Sequence, residues 1–296
     1  MNNKPDERYI ISIMKSGLGN QLFMYAAARA FALRTGRELL LDGKRGYQRD
    51  RYSRSYRMDR FPIAAREMPE PFRVAPGLRH PRHKLIRFWN KFRPLEKRTY
   101  LAESAQVTPE VLRRLVPLKP RVTLWGYWQD EEYFSDFAEN IRRELAPPPP
   151  AAACADNPDG TMAKQMRESR SVFVHLRRVR YPVLLASGYY QEAIDRVSAC
   201  LEKPRFFVFG DAPDWARENL DFRRAPVSYV THNNDNEIAD LWLMTQCRHS
   251  IIANSSYSWW GAWLGAGQGL EEGRLVFAPE NPGMPKKYPS GWTLIS

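Results

Sequence analysis

Two adjacent arginines are candidates for binding a diphosphate. They end the run Val174-His175-Leu176-Arg177-Arg178, in which strand alternation places Val174 and Leu176 on one face and His175 and Arg177 on the other. A guanidinium stays charged and needs acceptors, and a diphosphate offers them in the bidentate geometry that arginine suits. The segment therefore predicts a diphosphate site at the carboxyl end of a strand. A strand that ends in solvent with two exposed arginines is the structural alternative.

A second candidate anion site follows a later apolar run, Ser250–Ala253. The polar residues Asn254, Ser255 and Ser256 come next, and a helix is predicted to begin there. Asn254 or Ser255 suits the N-cap position, and the free N–H groups at a helix start favour an anion. Alternatively, the serines only cap the helix. The helix carries aromatic residues that we assign to the core, namely Trp259, Trp260 and Trp263.

One acidic residue follows a third apolar run. Asp211 comes directly after the predicted strand Phe206–Phe209 and Gly210. Its carboxylate could accept hydrogen bonds from the exocyclic amine and ring N–H of a purine. It could equally cap a helix starting near Pro213, because proline is favoured in the first helical turn. The spacing leaves both roles open.

A glycine turn joins the first predicted strand to the first helix, and it contains Gly17, Gly19, Asn20 and Gln21. Its two glycines match the start of a dinucleotide-binding fingerprint, but the third glycine would fall at Leu22. Asp42 ends the next strand, where a ribose-binding acid would be expected. The two amide side chains instead suit sugar hydroxyls, and a plain turn is the structural alternative.

Residues 79–93 are strongly basic and interleaved with aromatic residues. If they are helical after Pro81, they present one apolar face, formed by Leu85, Phe88, Trp89 and Phe92. A basic amphipathic helix with aromatic residues suits contact with a membrane surface. The alternatives are an ordinary surface helix packed on the first domain and a nucleic-acid contact, although no nucleic-acid-binding motif supports the second.

Alternating strands and helices must position these residues. In the first half, Tyr9–Met14 and Glu38–Asp42 are predicted strands around a helix from Gln21 to Arg34, and residues 43–118 are predicted to be irregular. In the second half, strands are expected at Ser171–Leu176, Phe206–Phe209, Val227–Val230, Ser250–Ala253 and Leu275–Ala278. Helices are expected between them at Tyr189–Leu201, Glu237–Cys247 and Tyr257–Leu264. This order indicates a doubly wound α/β fold, whose ligands bind at the carboxyl ends of the strands.

A run of four prolines at residues 147–150 marks a domain boundary. Four prolines cannot continue a helix or a central strand, and the stretch that follows them is small and polar. We expect a linker over residues 147–161, between a domain of residues 1–150 and a domain of residues 151–296.

The amino-acid composition excludes several classes of protein. The chain has 296 residues, with 45 Lys and Arg against 33 Asp and Glu, so its net charge of +12 predicts an anionic partner. The three cysteines (Cys154, Cys200 and Cys247) are too few and too far apart for a disulfide scaffold or a zinc site. Neither a signal peptide nor a run of about 18 apolar residues is recognisable. We expect a cytoplasmic protein that is soluble or peripheral to a membrane.

Five sequence blocks resemble the signature blocks of bacterial α-1,2-fucosyltransferases, glycosyltransferase family 11. They are GLGNQLFMYAAARAFA, GYWQDEEYF, HLRR, FGDAPDW and NNDNEIADLWLMTQCRHSIIANSSYSWWGAWLG, in that order between about residues 10 and 279. The long last block is highly specific for the family. GLGNQ or HLRR alone would not be.

The resemblance implies a GT-B fold, an α/β architecture of two Rossmann-like domains facing across a cleft. It implies inverting transfer of L-fucose from GDP-β-L-fucose to the 2-hydroxyl of a galactose-containing oligosaccharide, during assembly of a bacterial surface polysaccharide such as O-antigen. The acceptor in such a pathway can be lipid-linked. No metal or other cofactor and no nucleic-acid partner is expected.

The same resemblance assigns roles to the candidate residues. Arg177, assisted by Arg178, would stabilise the departing diphosphate, because an enzyme without a metal must neutralise that charge with its own groups. The donor would contact His175, Asp211, Asn254, Ser255 and Ser256. The acceptor would contact Gly17, Gly19, Asn20 and Gln21.

This sequence departs from the family pattern at one position. The family motif carries an acid two residues after the second arginine, where this chain has Arg180. Another acid must replace it, or the site tolerates its loss. The general base is left open, with Asp42 and Asp240 as candidates, and Asp240 could instead pair with a nearby arginine.

Two other function classes remain open at this point. A nicotinamide-dependent oxidoreductase would use Gly17, Gly19 and Asp42. A basic, non-catalytic protein that binds glycan or nucleic acid would account for the charge and would show steeply salt-dependent affinity.

Overall fold

The structure, a computed structural model, describes residues 8–48, 50–70, 85–86, 88–90, 92–150, 157–179, 182–233, 236–266, 273–280 and 287–296. The chain forms two compact units, Met1–Glu144 and Leu145–Ser296. The sequence-based boundary lies slightly later, between residues 150 and 151. Among the described residues, no helix has the length and apolar character needed to cross a bilayer.

The first unit is built on a five-stranded parallel sheet in the order β3-β2-β1-β5-β4. Its strands are β1 (Tyr9–Ile13), β2 (Glu38–Asp42), β3 (Arg66–Glu67), β4 (Tyr100–Ala102) and β5 (Arg121–Trp125). Its helices are α1 (Leu18–Arg34), α2 (Pro109–Arg114) and α3 (Ala138–Glu144). The prediction that residues 43–118 are irregular is wrong for β3, β4 and α2. Strands of two and three residues are too short to show a period-two pattern.

Helix α1 is buried almost all round. Alanines and large apolar side chains alternate along it, and Leu22, Tyr25 and Phe31 are fully buried. The helix ends before Gly36, whose φ of +60° is the left-handed conformation that glycine adopts without strain. The predicted strand–turn–helix–strand unit is confirmed, since β1 and β2 pair in parallel.

The second unit contains a six-stranded parallel sheet in the order β11-β10-β9-β6-β7-β8. The strands are β6 (Arg170–Leu176), β7 (Pro204–Gly210), β8 (Val227–Tyr229), β9 (His249–Ile251), β10 (Val276–Pro279) and β11 (Thr293–Ile295). The helices are α4 (Pro158–Glu168), α5 (Ser187–Cys200), α6 (Pro213–Asn219), α7 (Glu237–Thr245) and α8 (Ser256–Gly265). The five strands predicted here are confirmed, with small shifts at their ends, and β11 is an addition.

Strand order in this sheet creates a topological switch point. The chain moves outward from β6 through β7 to β8 and then returns to place β9 on the other side of β6. The loop after β6 and the loop after β9 therefore run in opposite directions. This divergence opens a crevice at the carboxyl ends of the two strands. Arg177 and Arg178 follow β6, and Ser255 and Ser256 follow β9. The fold thus brings together two of the sequence-predicted sites.

The predicted linker ends earlier than expected. Residues 151–156 lie outside the described residues, and α4 already begins at Pro158. Asn157 caps this helix by accepting a hydrogen bond from the Asp159 backbone N–H, and Pro158 occupies the favoured first position. The expectation of a linker up to residue 161 is therefore wrong at its end, because a cap and a proline start a helix there.

The core assignment of the α8 tryptophans is confirmed. Trp259 and Trp260 are fully buried and Trp263 nearly so, and the three rings contact one another. A buried tryptophan removes a large apolar surface from water, so this cluster fixes α8 against the sheet. The N-terminus of α8 is thereby held at the switch point.

A buried ion pair stabilises the first unit. The Glu144 carboxylate, at the end of α3, accepts hydrogen bonds from the Arg29 guanidinium at 2.8 Å and from the Tyr25 hydroxyl. The Tyr25 hydroxyl in turn accepts from the Ala64 backbone N–H. Burial, with the neighbouring Glu144 carboxylate, raises the pKa of Tyr25 well above its usual value. Helix α3, α1 and the loop at Ala64 are therefore joined through one carboxylate.

We expect Glu144→Gln to lower the free energy of unfolding by about 3 kcal/mol, because it leaves the Arg29 charge buried without its counter-ion. Urea unfolding followed by circular dichroism measures this loss. Glu139→Gln, on an exposed position of the same helix, is the matched control and should change the value by less than about 0.5 kcal/mol. Equal values for both variants would contradict the role of the buried pair.

Candidate functional site

The ends of β6 and β7 are brought unusually close by a glycine. Leu176 and Gly210 are register partners, and Gly210 has a φ of +120°. A Cβ atom at this position would lie 2.0 Å from the Leu176 carbonyl oxygen, so only glycine fits. Because the strands end side by side, Arg177 and Arg178 emerge next to Asp211.

Asp211 holds both arginines. Its Oδ2 accepts a hydrogen bond from Arg177 Nη1 at 2.8 Å, and its Oδ1 accepts from the Arg178 backbone N–H at 2.7 Å. The alternative role as a helix cap is wrong, since α6 begins after Ala212 without a side-chain cap. Asp211 is an acid that orients the arginines of this motif, and the residue at the family's acidic position, Arg180, lies outside the described residues.

The two arginine side chains differ in their contacts and in their exposure to solvent. The Arg178 guanidinium lies 3.7 Å from the centroid of the Trp215 ring and donates to the Leu185 carbonyl at 2.8 Å. Stacking and a carbonyl acceptor fix its plane. The Arg177 side chain is 43% exposed and reaches solvent beside Asp211. The interpretation as two exposed surface arginines therefore fails for Arg178, and Arg177 is the better placed to meet a ligand.

Helix α8 begins with the predicted serines. Ser255 is its N-cap, and its hydroxyl accepts from the Tyr257 backbone N–H at 3.3 Å. Asn254 is buried, and its amide donates to the Val183 carbonyl in the loop after the arginines, at 2.9 Å. The structure thus gives Asn254 a positioning contact, whereas Ser256 stands partly exposed in the first turn of the helix. The positive end of the α8 dipole adds to the charge of the arginines.

His175 is a buried, neutral imidazole at the same edge. Burial, together with the Arg177 guanidinium, lowers the pKa of His175 to about 3. Its ring lies 5.6 Å from that of Tyr257 in α8, and Nδ1 has no hydrogen-bond partner among the described residues. Because a buried polar atom without a partner is costly, Nδ1 is suited to a bond with a bound ligand.

An acidic cluster lies at the start of α7. Asp159 is buried and accepts hydrogen bonds from Asn233 and from the His232 ring, both at 2.8 Å. Burial and the nearby Asp159 carboxylate raise the pKa of Asp240 to about 7, while Asn233 and His232 act in the opposite direction. Among the described residues Asp240 pairs with no arginine, so that alternative to a role as general base is not supported. Asp240 Oδ1 is buried without a hydrogen-bond partner in the described part of the chain, and a pKa of about 7 keeps Asp240 a candidate for the general base.

In the first unit, the side-chain amides of Asn20 and Gln21 hold the glycine turn in place. Asn20 donates to the Ser16 hydroxyl at 2.9 Å and accepts from the Gln129 amide. Gln21 is fully buried. Its side-chain Nε2 donates hydrogen bonds to the Ser16 and Ser55 carbonyls, and its Oε1 accepts one from the Arg57 backbone N–H. Gln21 therefore positions loops and cannot touch an acceptor sugar in this arrangement. Asn20, in contrast, is partly exposed at the surface of the turn.

The remaining acceptor-side candidates are backbone positions. Gly17 is the N-cap residue of α1 and is partly exposed, whereas Gly19 is buried inside the first turn. Asp42, the other candidate base, is buried, and its Oδ1 accepts from the N–H groups of Lys44 and Arg45. It caps the turn after β2, and this contact disfavours a role in proton transfer.

Sequence reasoning missed the residues that contact Lys15 and Ser16, at the start of the glycine turn. The Lys15 ammonium lies 4.1 Å from the Trp125 ring and 4.2 Å from the Tyr127 ring. Arg54 donates to the Ser16 hydroxyl at 2.9 Å and pairs with Asp50. Parallel pairing of β1 and β5 brings Lys15 and Trp125 to one edge. The GYWQ block was the available signal, but without a predicted β5 its location could not be inferred.

Comparison with known proteins identifies the family. The family model for glycosyl transferase family 11 matches residues 9–274. The chain belongs to glycosyltransferase family 11. It is 30% identical to an α-1,2-colitosyltransferase of Escherichia coli, over 86% of this chain and 87% of that protein. It is 28% identical to the O-antigen biosynthesis glycosyltransferase WbnK of Escherichia coli, over 90% of this chain and 93% of that protein.

Solved structures confirm the fold class. The crystal structure of NodZ α-1,6-fucosyltransferase soaked with GDP-fucose matches 87% of this chain and 92% of its own, with a TM-score of 0.55 and 17% sequence identity. The predicted GT-B fold, with its two Rossmann-like α/β domains, is confirmed. This glycosyltransferase is accordingly neither the oxidoreductase nor the non-catalytic binding protein that the sequence had left open.

We expect Asp240→Asn to flatten the pH dependence of stability. The pKa of Asp240 is higher in the folded protein than in the unfolded chain, so its contribution is present at low pH and is lost as the pH rises from about 4 to 7. Each unit of difference corresponds to about 1.4 kcal/mol, so the contribution amounts to a few kcal/mol. Urea unfolding at several pH values measures it. A variant whose stability falls over this pH range as steeply as the parent's would rule out Asp240 as its source.

Proposed function

We propose that this glycosyltransferase transfers L-fucose, with inversion, from GDP-β-L-fucose to the 2-hydroxyl of a galactose-containing glycan. The observation that carries the proposal is the pair of arginines held by Asp211 at the switch point, next to the N-terminus of α8. Arg177 and Arg178 against Asp211 leave one net positive charge, to which the helix end adds about half a charge. A nucleoside diphosphate is the ligand that this charge and geometry fit.

The chemical step follows from that charge. The acceptor hydroxyl oxygen attacks the anomeric carbon from the face opposite to the diphosphate. The new C–O bond forms, the bond to the diphosphate oxygen breaks, and the hydroxyl proton passes to a basic side chain or to water. Negative charge then builds up on the leaving diphosphate, where the Arg177 guanidinium and the α8 N–H groups stabilise it. Because these groups are already oriented by Asp211 and Ser255, little reorganisation is needed in the transition state.

The nucleotide would extend from this point towards His175. A neutral imidazole offers one donor and one acceptor nitrogen, and its Nδ1 lacks a partner among the described residues. Ser256, at the open end of α8, would donate to a phosphate oxygen. Asn254 would act indirectly, through the Val183 loop that it anchors.

A second donor is favoured by a specific comparison. One of the relatives above is a colitosyltransferase, and the match covers most of both chains. GDP-colitose is therefore the donor to set against GDP-fucose in a direct competition, with GDP release as the readout. Turnover that is faster with GDP-colitose would move the assignment to that sugar.

We assign the reaction to assembly of a bacterial surface polysaccharide, at the cytoplasmic side of the membrane. Similarity to an O-antigen glycosyltransferase supports this setting. We also propose that no metal ion or other cofactor takes part, since the arginines and the helix end can neutralise the diphosphate. Turnover should then be the same with and without EDTA, and a loss that Mg²⁺ or Mn²⁺ restores would contradict it.

The decisive variant is Arg177→Ala, which we expect to lower kcat by about 10²–10³ because a charged donor to the leaving group is lost. Release of GDP from GDP-fucose, with a galactoside acceptor, is the measurement. Arg196→Ala removes an exposed helical arginine of the same unit and is the matched control. If both variants release GDP at the parental rate, the leaving-group role of Arg177 is wrong.

For the acceptor side, we expect Asn20→Ala to raise the acceptor KM by about tenfold, the equivalent of about 1.4 kcal/mol. The KM for the donor should stay unchanged, since Asn20 belongs to the first unit. Initial rates at varied acceptor and varied donor concentration separate the two constants. Asn140→Ala, on α3, serves as the control. A rise confined to the donor KM would remove Asn20 from acceptor binding.

A further inference from the structure

One helical segment of the first unit turns its apolar face to solvent. Leu85, Phe88, Trp89 and Phe92 are 58%, 53%, 56% and 71% exposed, whereas Asn90 is only 4% exposed. A helix packed on its own domain buries the aromatic face and exposes the amide. The interpretation of this segment as an ordinary packed surface helix is therefore wrong for the described residues.

The exposed aromatic side chains form a cluster of their own. The Phe88 ring lies 5.9 Å from the Trp89 ring and 5.4 Å from the Phe92 ring, both edge to face. Such contacts hold the rings together as one apolar projection. A contiguous projection of this kind on a water-facing surface marks a contact with an apolar partner.

A second exposed apolar segment lies beside the first. Val116 and Leu118 are 69% and 65% exposed. The Leu118 N–H donates to the Glu96 carbonyl at 2.8 Å, and Arg98 Nε donates to the Arg93 carbonyl at 2.9 Å. These bonds place residues 116–118 next to the chain that leaves the aromatic cluster. We call the six side chains the apolar surface, comprising Leu85, Phe88, Trp89, Phe92, Val116 and Leu118.

The loop that carries Val116 and Leu118 is rigidly supported. Arg37 is buried, and its guanidinium donates to three carbonyls of this loop, those of Pro117, Lys119 and Pro120. A buried guanidinium needs several acceptors, and here the loop backbone supplies them. The apolar side chains are therefore presented outward by a fixed backbone.

The segments that form the apolar surface are predominantly basic, although Glu96, between Arg93 and Lys97, is an exposed acidic residue. Between residues 71 and 95 the sequence has seven arginines and lysines and no acidic residue. Among the described residues, Arg93, Lys97 and Lys119 lie in the segments that form the surface. Basic residues around exposed aromatic side chains complement an anionic lipid bilayer, whose headgroups attract lysine and arginine while its interface accepts tryptophan and phenylalanine.

We propose that the apolar surface docks the first unit onto an anionic lipid membrane, with the aromatic side chains inserted at the headgroup level and the basic residues on the phosphates. The binding is peripheral. It does not depend on the proposed donor or acceptor, because none of its residues belongs to the candidate site.

Co-sedimentation with vesicles tests this docking. We expect the full-length protein to sediment with vesicles of phosphatidylcholine containing about 30% phosphatidylglycerol, and to do so far less with phosphatidylcholine alone. Binding should weaken as salt is raised, because screening reduces attraction to the headgroups. Equal binding to both vesicle types, or no binding to either, would overturn the proposal.

The matched variants are Trp89→Ser with Phe92→Ser, and Leu294→Ser as the control. We expect the double variant to bind anionic vesicles about tenfold more weakly. Its turnover on a soluble acceptor should equal the parent's, which also shows that it folds. Leu294, 45% exposed in the second unit, should be replaceable without effect on vesicle binding. Parental vesicle binding by the double variant, or a dimer in the parent that the double variant loses, would overturn the membrane assignment in favour of another contact.

Discussion

The carboxylate of Asp211 is the contact on which the arrangement of the donor edge depends. It binds the side chain of Arg177 and the backbone of Arg178 at once, and it can do so only because Gly210 lets two strand ends meet. Two guanidinium groups at a strand end would otherwise repel each other and spread into solvent. The carboxylate costs one unit of positive charge, but it leaves the arginines oriented before any ligand arrives, and preorganisation is the larger benefit for a charged transition state.

Other residues of the second unit complete the same edge of the sheet. Tryptophans of α8 fix the helix whose N-terminus adds to the positive potential, and Asn254 anchors the loop after the arginines. Burial keeps His175 neutral beside them, so the imidazole contributes hydrogen bonds without adding charge. Each of these residues acts on the same small edge of the sheet, although they are far apart in the chain.

Much of this edge could be predicted from the sequence, because β6, β7 and the start of α8 are marked by continuous apolar runs and by a capping serine. The pairing of Arg177 with Asp211 could not be predicted. It depends on the register that pairs Leu176 with Gly210, which is a tertiary feature with no local sequence signal. The same limit applies in the first unit. Without β5, nothing in the sequence places Lys15 against two aromatic rings. The periodicity of residues 85–92 likewise predicts an apolar face, but it does not indicate that this face is exposed to solvent.

The supporting loop of the apolar surface has a geometric consequence. The three carbonyls bound by Arg37 precede β5, so Val116 and Leu118 sit near the amino ends of the strands, whereas Asn20 and Lys15 sit at the carboxyl ends. Five-residue strands separate these two levels by about 17 Å. A sugar chain rooted in the bilayer would have to span at least that distance before its terminal residue reached Asn20.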